Sequence, residues 1–213
     1  MPELVYKQLR ESIFNGSLAP GVLLRQERIA KLLHVSRVPL REAMSRLERD
    51  GFIVSRPNRG YAVAELNEQE IVEIFEMRMV LEEHAGAVAA RARTEQDIAD
   101  VEVLMRRMEM IARQSSNYTG EWAHVNRDFH SRLVRSCRRR RLLDMSNTLR
   151  ESVEAYVRIE MTLTGDVESA LLEHRELFAA FKAGDASGMA ELSRKHVEST
   201  AKRLLSGLRR KSL

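Results

Sequence analysis

The distribution of proline constrains the fold of this chain more than any other feature. All four prolines lie within the first 57 of its 213 residues. From residue 67 onward, apolar residues recur at helical spacing with interruptions near five places: Thr94, Ser115–Gly120, Cys137–Arg141, Gly165 and Gly184–Asp185. Because proline disrupts the interior of helices and sheets, the sequence predicts two domains. Residues 1–66 form a small domain of short helices and strands, and residues 67–213 form an all-α antiparallel bundle of about six helices.

Charge and cysteine content favour a cytoplasmic protein that contacts a polyanion. Residues 1–65 contain 11 Lys and Arg against 7 Asp and Glu, whereas residues 66–213 contain 24 of each. The whole net charge of +4 therefore lies in the first third, as is typical of nucleic-acid contact. Cys137 is the only cysteine, so no intrachain disulfide can form, which favours a reducing compartment. We expect neither a membrane span nor a signal peptide, because the chain has no run of about 18 apolar residues and its N-terminus is charged.

The first domain reads as three helices followed by a hairpin. The spacing predicts helices over Pro2–Asn15, Gln26–Leu33 and Arg37–Asp50, the last with Ser36 as its N-cap. "FIVSR" and "YAVAE" then flank "PNRG", which predicts a β-hairpin whose turn requires a glycine with positive φ at Gly60. A short helix, a tight connection and a second helix followed by a hairpin are typical of a winged helix-turn-helix domain.

The third helix combines an apolar stripe with arginines on its other side. Leu40, Ala43, Met44 and Leu47 fall at i, i+3, i+4 and i+7, whereas Arg41 projects away from them. Arginine donates two hydrogen bonds to guanine O6 and N7 in the major groove. The alternative is that such arginines are only solvated charge. The helix pair, the hairpin and the charge asymmetry together favour DNA.

Three histidines of the second domain lie on three separate predicted helices. They occur in "VNRDFHSRLV", "LLEHRELFAAFKAGD" and "LSRKHVESTAKRL". Asn126 and His130 are four residues apart and share one helix face. With His174 and His196 they would suit a divalent first-row metal if the helices bring them together. Spacing alone leaves open the alternative that these histidines are ordinary surface or core residues.

The N-terminal motifs resemble those of a known family. "Y-x2-L-R-x2-I-x2-G-x-L-x-P-G", "V-S-R-V-P-L-R-E-A-x3-L-x3-G" and "N-R-G-Y-x-V" look like the winged-helix domain of GntR-type bacterial transcription regulators. Because one short reading head covers few base pairs, we also expect a homodimer that binds a pseudo-palindromic DNA operator. The resemblance implies DNA contacts at nine positions: Arg28, Ser36, Arg37, Val38, Pro39, Arg41, Asn58, Arg59 and Gly60.

The C-terminal motifs "F-H-x2-L" and "E-H-x-E-L-x-A" resemble the FCD ligand-binding domain of the FadR branch, and the helix count resembles the VanR-like subgroup. The resemblance implies a divalent ion, zinc or nickel, held by four residues: Asn126, His130, His174 and His196. Asn126 stands where aspartate is common, and its neutral amide oxygen implies weaker binding. Arg78 matches an arginine near the effector; the alternative is an ion pair with Glu82 on a solvated face.

These features predict a ligand-responsive transcription regulator, a repressor that binds a small carboxylate together with the metal. The first alternative is a metal-dependent hydrolase, since three histidines and a metal can activate water. We expect no enzyme, because no general-base motif such as H-E-x-x-H occurs. The second alternative is an architectural DNA-binding protein without an effector. The run "CRRRRLL" from Cys137 to Leu143 is interpreted as a solvated helix start.

Overall fold

The computed structural model describes residues 1–56, 59–65, 67–113, 119–164 and 167–211. It divides the chain into two compact units, Met1–Asn67 and Glu68–Leu213. Each unit has its own cluster of buried apolar side chains. No helix in these described ranges combines the length and apolarity needed to cross a bilayer.

The first unit contains three helices and a small antiparallel sheet. Its elements are α1 (Pro2–Phe14), β1 (Leu23–Leu24), α2 (Gln26–Leu32), α3 (Arg37–Arg49), β2 (Ile53–Arg56) and β3 (Gly60–Val63). The strand order is β1-β3-β2, with Val54 opposite Ala62. The hairpin and the positive φ of Gly60, +84°, agree with the sequence prediction. Strand β1 was not predicted because two residues are too short to produce an alternating pattern.

The core of the first unit forms where α3 meets α1. All four residues of the predicted stripe on α3 are buried. On α1, Leu4 is exposed. Tyr6 takes an inward position, and its hydroxyl donates a hydrogen bond to Asp50 at 2.7 Å. An aromatic ring with a polar tip can therefore join the apolar core to the end of α3.

The connection between α2 and α3 is tight. His34 has a φ of +52°, in the left-handed region, and the backbone N–H of Val35 donates to the carbonyl of Ala30 at 3.0 Å. Ser36 occupies the N-cap position with extended backbone, but its side chain accepts no hydrogen bond from the helix. The position of the N-cap was thus predicted correctly, whereas the expected capping bond is not formed.

The described residues of the second unit form six helices. They are α4 (Glu68–Ala92), α5 (Glu95–Ala112), α6 (Thr119–Arg135), α7 (Arg140–Thr164), α8 (Val167–Ala183) and α9 (Ala186–Lys211). Helices α4 and α9 approach closely at Gly86, where a Cβ atom would lie 2.5 Å from the Ser193 hydroxyl oxygen. The all-helical fold and the helix number agree with the prediction.

Arg138, just before α7, forms hydrogen bonds to the segment where α4 ends and α5 begins. Its backbone has a φ of +55°, and its guanidinium donates to the carbonyl of Ala92 and to Asp97, each at 2.7 Å. Asp97 also caps α5 with Thr94. Burial opposes ionisation of Asp97, but the bonds from Arg138 and Thr94 outweigh it and lower its pKa to about 2. Arg138 is half exposed, as expected for a solvated run, but it precedes α7 and its guanidinium is held by these bonds.

Candidate functional site

Helix α3 presents its N-terminal end to solvent. The side chains of Ser36, Arg37, Val38 and Arg41 are exposed, and Pro39 is half-buried. Val38 is 59% exposed, although it is a branched apolar residue. In a major groove, such a side chain can contact a thymine methyl group, while arginines contact guanine. This end of α3 therefore carries both kinds of group that read base edges.

The arginines of the first unit differ in whether they form ion pairs. Arg37 forms an exposed ion pair with Glu27 of α2 at 2.9 Å. Arg46 pairs with Glu3 at 2.5 Å, and its guanidinium carbon lies 4.0 Å from the centre of the Tyr6 ring. Arg41 forms no ion pair within the described part of the chain. Its guanidinium lies near the N-terminal end of α3 and can donate hydrogen bonds to an external partner.

The other predicted DNA-contacting residues lie on α2 and at the hairpin. Arg28 and Arg59 are exposed, and Gly60 begins β3. Asn58, the remaining predicted residue, lies outside the described residues. The exposed arginines supply the positive charge that contact with a phosphate backbone requires.

The three histidines converge on one cavity in the second unit. Asn126 and His130 come from α6, His174 from α8 and His196 from α9. All four line the cavity, whose free volume is about 40 Å³, and Trp122 forms part of its wall. The ring nitrogens of the three histidines lie within 4.8 Å of one another. The three imidazoles are buried, so the prediction that they come together is met in the described structure.

Hydrogen bonds orient two of these imidazoles. Nδ1 of His174 lies against the backbone carbonyl of Ala170, which can only accept, so this nitrogen carries the proton. Nδ1 of His196 donates to Glu173 at 2.6 Å, and Glu173 also accepts from Arg203 at 3.0 Å. With Nδ1 as the donor, Nε2 of each ring is the nitrogen that can act as a ligand, and in His174 it faces Nε2 of His130. Carboxylates and carbonyls orient metal-binding histidines in the same way.

The donor set fits a divalent transition metal. Burial and the neighbouring His196 lower the pKa of His174 to about 3, so this imidazole is neutral at ordinary pH, as a ligand must be. The Nε2 atoms of His174 and His130 are 3.0 Å apart. Two nitrogens that share a tetrahedral zinc ion at about 2.0–2.1 Å are about 3.3 Å apart. Asn126 adds an amide oxygen on the same wall.

A buried ion-pair network borders the same cavity. Nε of Arg78 donates to Glu82 at 2.9 Å, and Nη2 of Arg150 contacts the other oxygen of Glu82. The side chains of all three residues are 5% exposed. Burial favours the neutral acid, but Arg150 and Arg78 hold the pKa of Glu82 below its usual range. Burial lowers the pKa of Arg150 to about 10, so it remains a cation at neutral pH.

Comparison with known families identifies both units. Residues 3–63 match the model of bacterial regulatory proteins of the gntR family, and residues 73–199 match the FCD domain. The chain belongs to the GntR family of transcription regulators. Its first unit is the DNA-binding winged helix-turn-helix domain of that family, and its second unit is an FCD domain.

Individual relatives agree with this family. The chain is 31% identical over 179 residues to the HTH-type transcriptional regulator YdhC of Bacillus subtilis (strain 168), covering 83% of this chain and 79% of YdhC. It is 28% identical over 199 residues to the HTH-type transcriptional repressor GlaR of Escherichia coli (strain K12), covering 90% of each. Its fold matches that of E. coli McbR/YncC with a TM-score of 0.85 at 22% identity, covering 96% of this chain and 97% of the other. YdhC and GlaR are both named as transcription regulators.

In the FCD domain the alternative interpretation of Arg78 was half right. The predicted pair between Arg78 and Glu82 exists, but both residues are buried, so the face is not solvated. Arg78 also lines the cavity of the three histidines. The pair and a position beside the candidate site are therefore compatible.

Sequence reasoning missed three residues that shape the FCD cavity. Glu173 accepts the hydrogen bond that orients His196, and Arg203 donates to Glu173. Arg150 contacts Glu82 inside the domain. The only available signal was that Glu173 immediately precedes His174. Arg150 lies 68 residues from Glu82, and no local spacing rule connects residues so far apart.

Proposed function

We propose that this GntR regulator is a repressor that binds a pseudo-palindromic operator as a homodimer and releases it when a small carboxylate enters the FCD domain. The observation that carries the proposal is the exposed, unpaired Arg41 on the outer side of α3, beside the exposed Val38. The name of the relative GlaR, a transcriptional repressor, supports repression. A single reading head covers few base pairs, so two copies related by a two-fold axis are required.

The contacts to DNA divide into two kinds. Arg37 and Arg41 at the free end of α3 read base edges, with Ser36, Val38 and Pro39 beside them. Arg28 on α2 and the wing residues Asn58, Arg59 and Gly60 contact the phosphate backbone or the minor groove. Support comes from the exposure of the described members of this set.

A divalent ion, zinc or nickel, is held by His130, His174 and His196 with Asn126 as an additional oxygen donor. The convergence of the ring nitrogens and the hydrogen bonds made by Nδ1 of His174 and of His196 support this part of the proposal. Such an ion supplies a positive charge and open positions for a ligand oxygen. A metal-bound imidazole or amide carries no charge, so these four donors would leave the charge of the ion uncompensated and favour an anionic effector. Arg78 lines the same cavity, with its charge paired to Glu82.

Genomic fragments selected by the purified protein test the DNA part of the proposal. Arg41→Ala should reduce the preference for the selected sequence over a scrambled duplex by about 1–3 kcal/mol, because a bidentate base contact is lost. Arg46→Ala is the matched control, since it removes the same charge from α3 but at a guanidinium occupied by Glu3. Equal discrimination by Arg41→Ala and the wild type would contradict this assignment of α3.

Metal analysis tests the second domain. The wild type, dialysed against zinc, should retain one ion per chain, and His174→Ala should retain far less. His124→Ala should bind like the wild type, because His124 is exposed beside Asp128 and lies outside the cluster. Retention of a full equivalent by His174→Ala, or none by the wild type, would remove the proposed metal site.

A further inference from the structure

Arg150 has an unusual hydrogen-bonding environment. The residue lies on α7 and is 5% exposed. Its Nη2 contacts Glu82, but its Nε and Nη1 are buried and have no hydrogen-bond partner among the residues that the structure describes. These two nitrogens carry three N–H donors. Buried donors are almost always satisfied, so three open donors at this depth indicate a partner from outside the protein.

Arg150 lies where a ligand of the FCD domain would be. It lines the cavity that contains Asn126 and the three histidines. A smaller cavity of about 20 Å³ shares Arg150, His130 and His196 with the first, so these three residues stand between the two spaces. The larger cavity admits a few water molecules, each of which needs on the order of 10–15 Å³. A small polar group therefore fits beside the guanidinium.

The other two arginines of the cavity are engaged by the protein. Arg78 donates through Nε to Glu82, and its guanidinium lies over the ring of Phe75. Arg203 donates to Glu173 and to the Thr200 hydroxyl. Of these three arginines, Arg150 is the one with buried side-chain nitrogens that have no hydrogen-bond partner in the described part of the chain.

Charge selects among the possible partners. Glu82 and Glu154 line these cavities and balance the guanidiniums of Arg78 and Arg150. An ion held by neutral imidazoles then adds positive charge with no protein anion to offset it. A carboxylate satisfies this charge, and its two oxygens accept hydrogen bonds from a guanidinium more strongly than neutral acceptors do.

We propose that the free Nε and Nη1 donors of Arg150 bind the carboxylate of the effector, which makes Arg150 the principal anion-binding residue of the cavity. This inference rests on the proposed function, in which the FCD domain senses a small carboxylate. It assigns to Arg150 a role that the sequence resemblance gave to Arg78. Arg78 then acts by holding Glu82, which in turn fixes Arg150.

Acetate is a suitable probe, because it has a carboxylate and little else. Calorimetric titration of acetate into the zinc-loaded protein should give saturable binding, weakened at least tenfold in Arg150→Lys. Lysine keeps the charge that Glu82 requires but loses the open guanidinium donors. Arg106→Lys is the matched control, because it makes the same change at an exposed arginine of the FCD domain that pairs with Glu102 outside the cavity, and it should bind acetate within about threefold of the wild type. Folding of both variants is checked by the fluorescence of the buried Trp122.

Equal weakening in the two variants, wild-type affinity in a folded Arg150→Lys protein, or no acetate binding by the wild type would each overturn the proposal. A second measurement requires no substitution. In ¹⁵N-labelled wild-type protein, the Nε–H resonance of Arg150 should shift with acetate concentration, and an unchanged resonance would overturn the proposal as well. Operator selection is measured separately without acetate. A protein that selects DNA but ignores acetate would refute the role of Arg150 and leave the assignment of α3 to DNA binding unaffected.

Discussion

Neutralising Glu82 should destabilise the FCD domain far more than neutralising its neighbour Glu83. Glu82 bridges Arg78 and Arg150, and all three side chains are 5% exposed. Glu82→Gln removes the carboxylate that contacts both buried guanidiniums and leaves them with Glu154 as a nearby counter-charge. Breaking a buried pair in this way costs about 3–5 kcal/mol. For a domain near 150 residues, each kcal/mol lowers the melting temperature by about 2–4 °C, so the expected decrease is roughly 6–20 °C.

Glu83→Gln is the control, because it makes the same chemical change one residue away. Glu83 pairs with Arg194 at 3.2 Å, but both side chains are about half exposed. Solvent-exposed pairs contribute at most about 1 kcal/mol, so its melting temperature should fall by less than about 4 °C.

Fluorescence of Trp122 measures both variants in the intact protein. Trp122 is the only tryptophan of the chain and is buried in the FCD domain, so its emission follows unfolding of that domain alone. Thermal and urea transitions should be recorded at neutral pH without added metal. If the two variants lost the same stability, or Glu82→Gln lost less than about 1 kcal/mol, the account of this network as a buried, mutually dependent set of charges would be wrong.

Two further predictions concern ion pairs elsewhere. Glu27→Gln should release Arg37 from its ion pair and so raise the affinity of the protein for a random duplex, measured by fluorescence anisotropy. Loss of this exposed pair should change the free energy of unfolding by less than about 1 kcal/mol. The pKa of Asp97 is about 2 when folded, below its ordinary value of 3.8, so its stabilisation is complete above pH 4 and is lost as the pH falls toward 2. The loss should be about 2 kcal/mol in urea titrations between pH 2 and 6, and Asp97→Asn should flatten this decline. An equally steep decline in Asp97→Asn, or unchanged duplex binding by Glu27→Gln, would contradict the respective prediction.

The fold was predictable because its determinants are local in sequence. The stripe on α3, the glycine at the hairpin and the absence of proline after Pro57 each fix an element through neighbouring residues. Strand β1 escaped prediction because Leu23 and Leu24 become a strand only by pairing with β3. Pairing of this kind depends on tertiary structure and leaves no periodic signal.

The candidate metal site was predictable in its ligands but not in its surroundings. Histidines can be recognised in the sequence as candidate metal ligands because few other side chains bind transition metals. The network around Arg150 is formed by charges that are common on helix surfaces, and only burial distinguishes it from them. Arg138 was also not predictable. Its left-handed backbone and its bonds to Ala92 and Asp97 depend on a corner more than 40 residues earlier in the chain, whereas in the sequence its arginine run looks like a solvated helix start.

The position of Trp122 has a practical consequence. Its ring meets that of His174 edge to face, with centroids 6.2 Å apart. Any cation that enters among the imidazoles therefore arrives next to an indole, whose emission is sensitive to nearby charge. Trp122 is therefore an intrinsic fluorescent probe beside the histidine cavity. Occupancy of the cavity can thus be followed in real time, in unlabelled protein, while the other domain is bound to its operator.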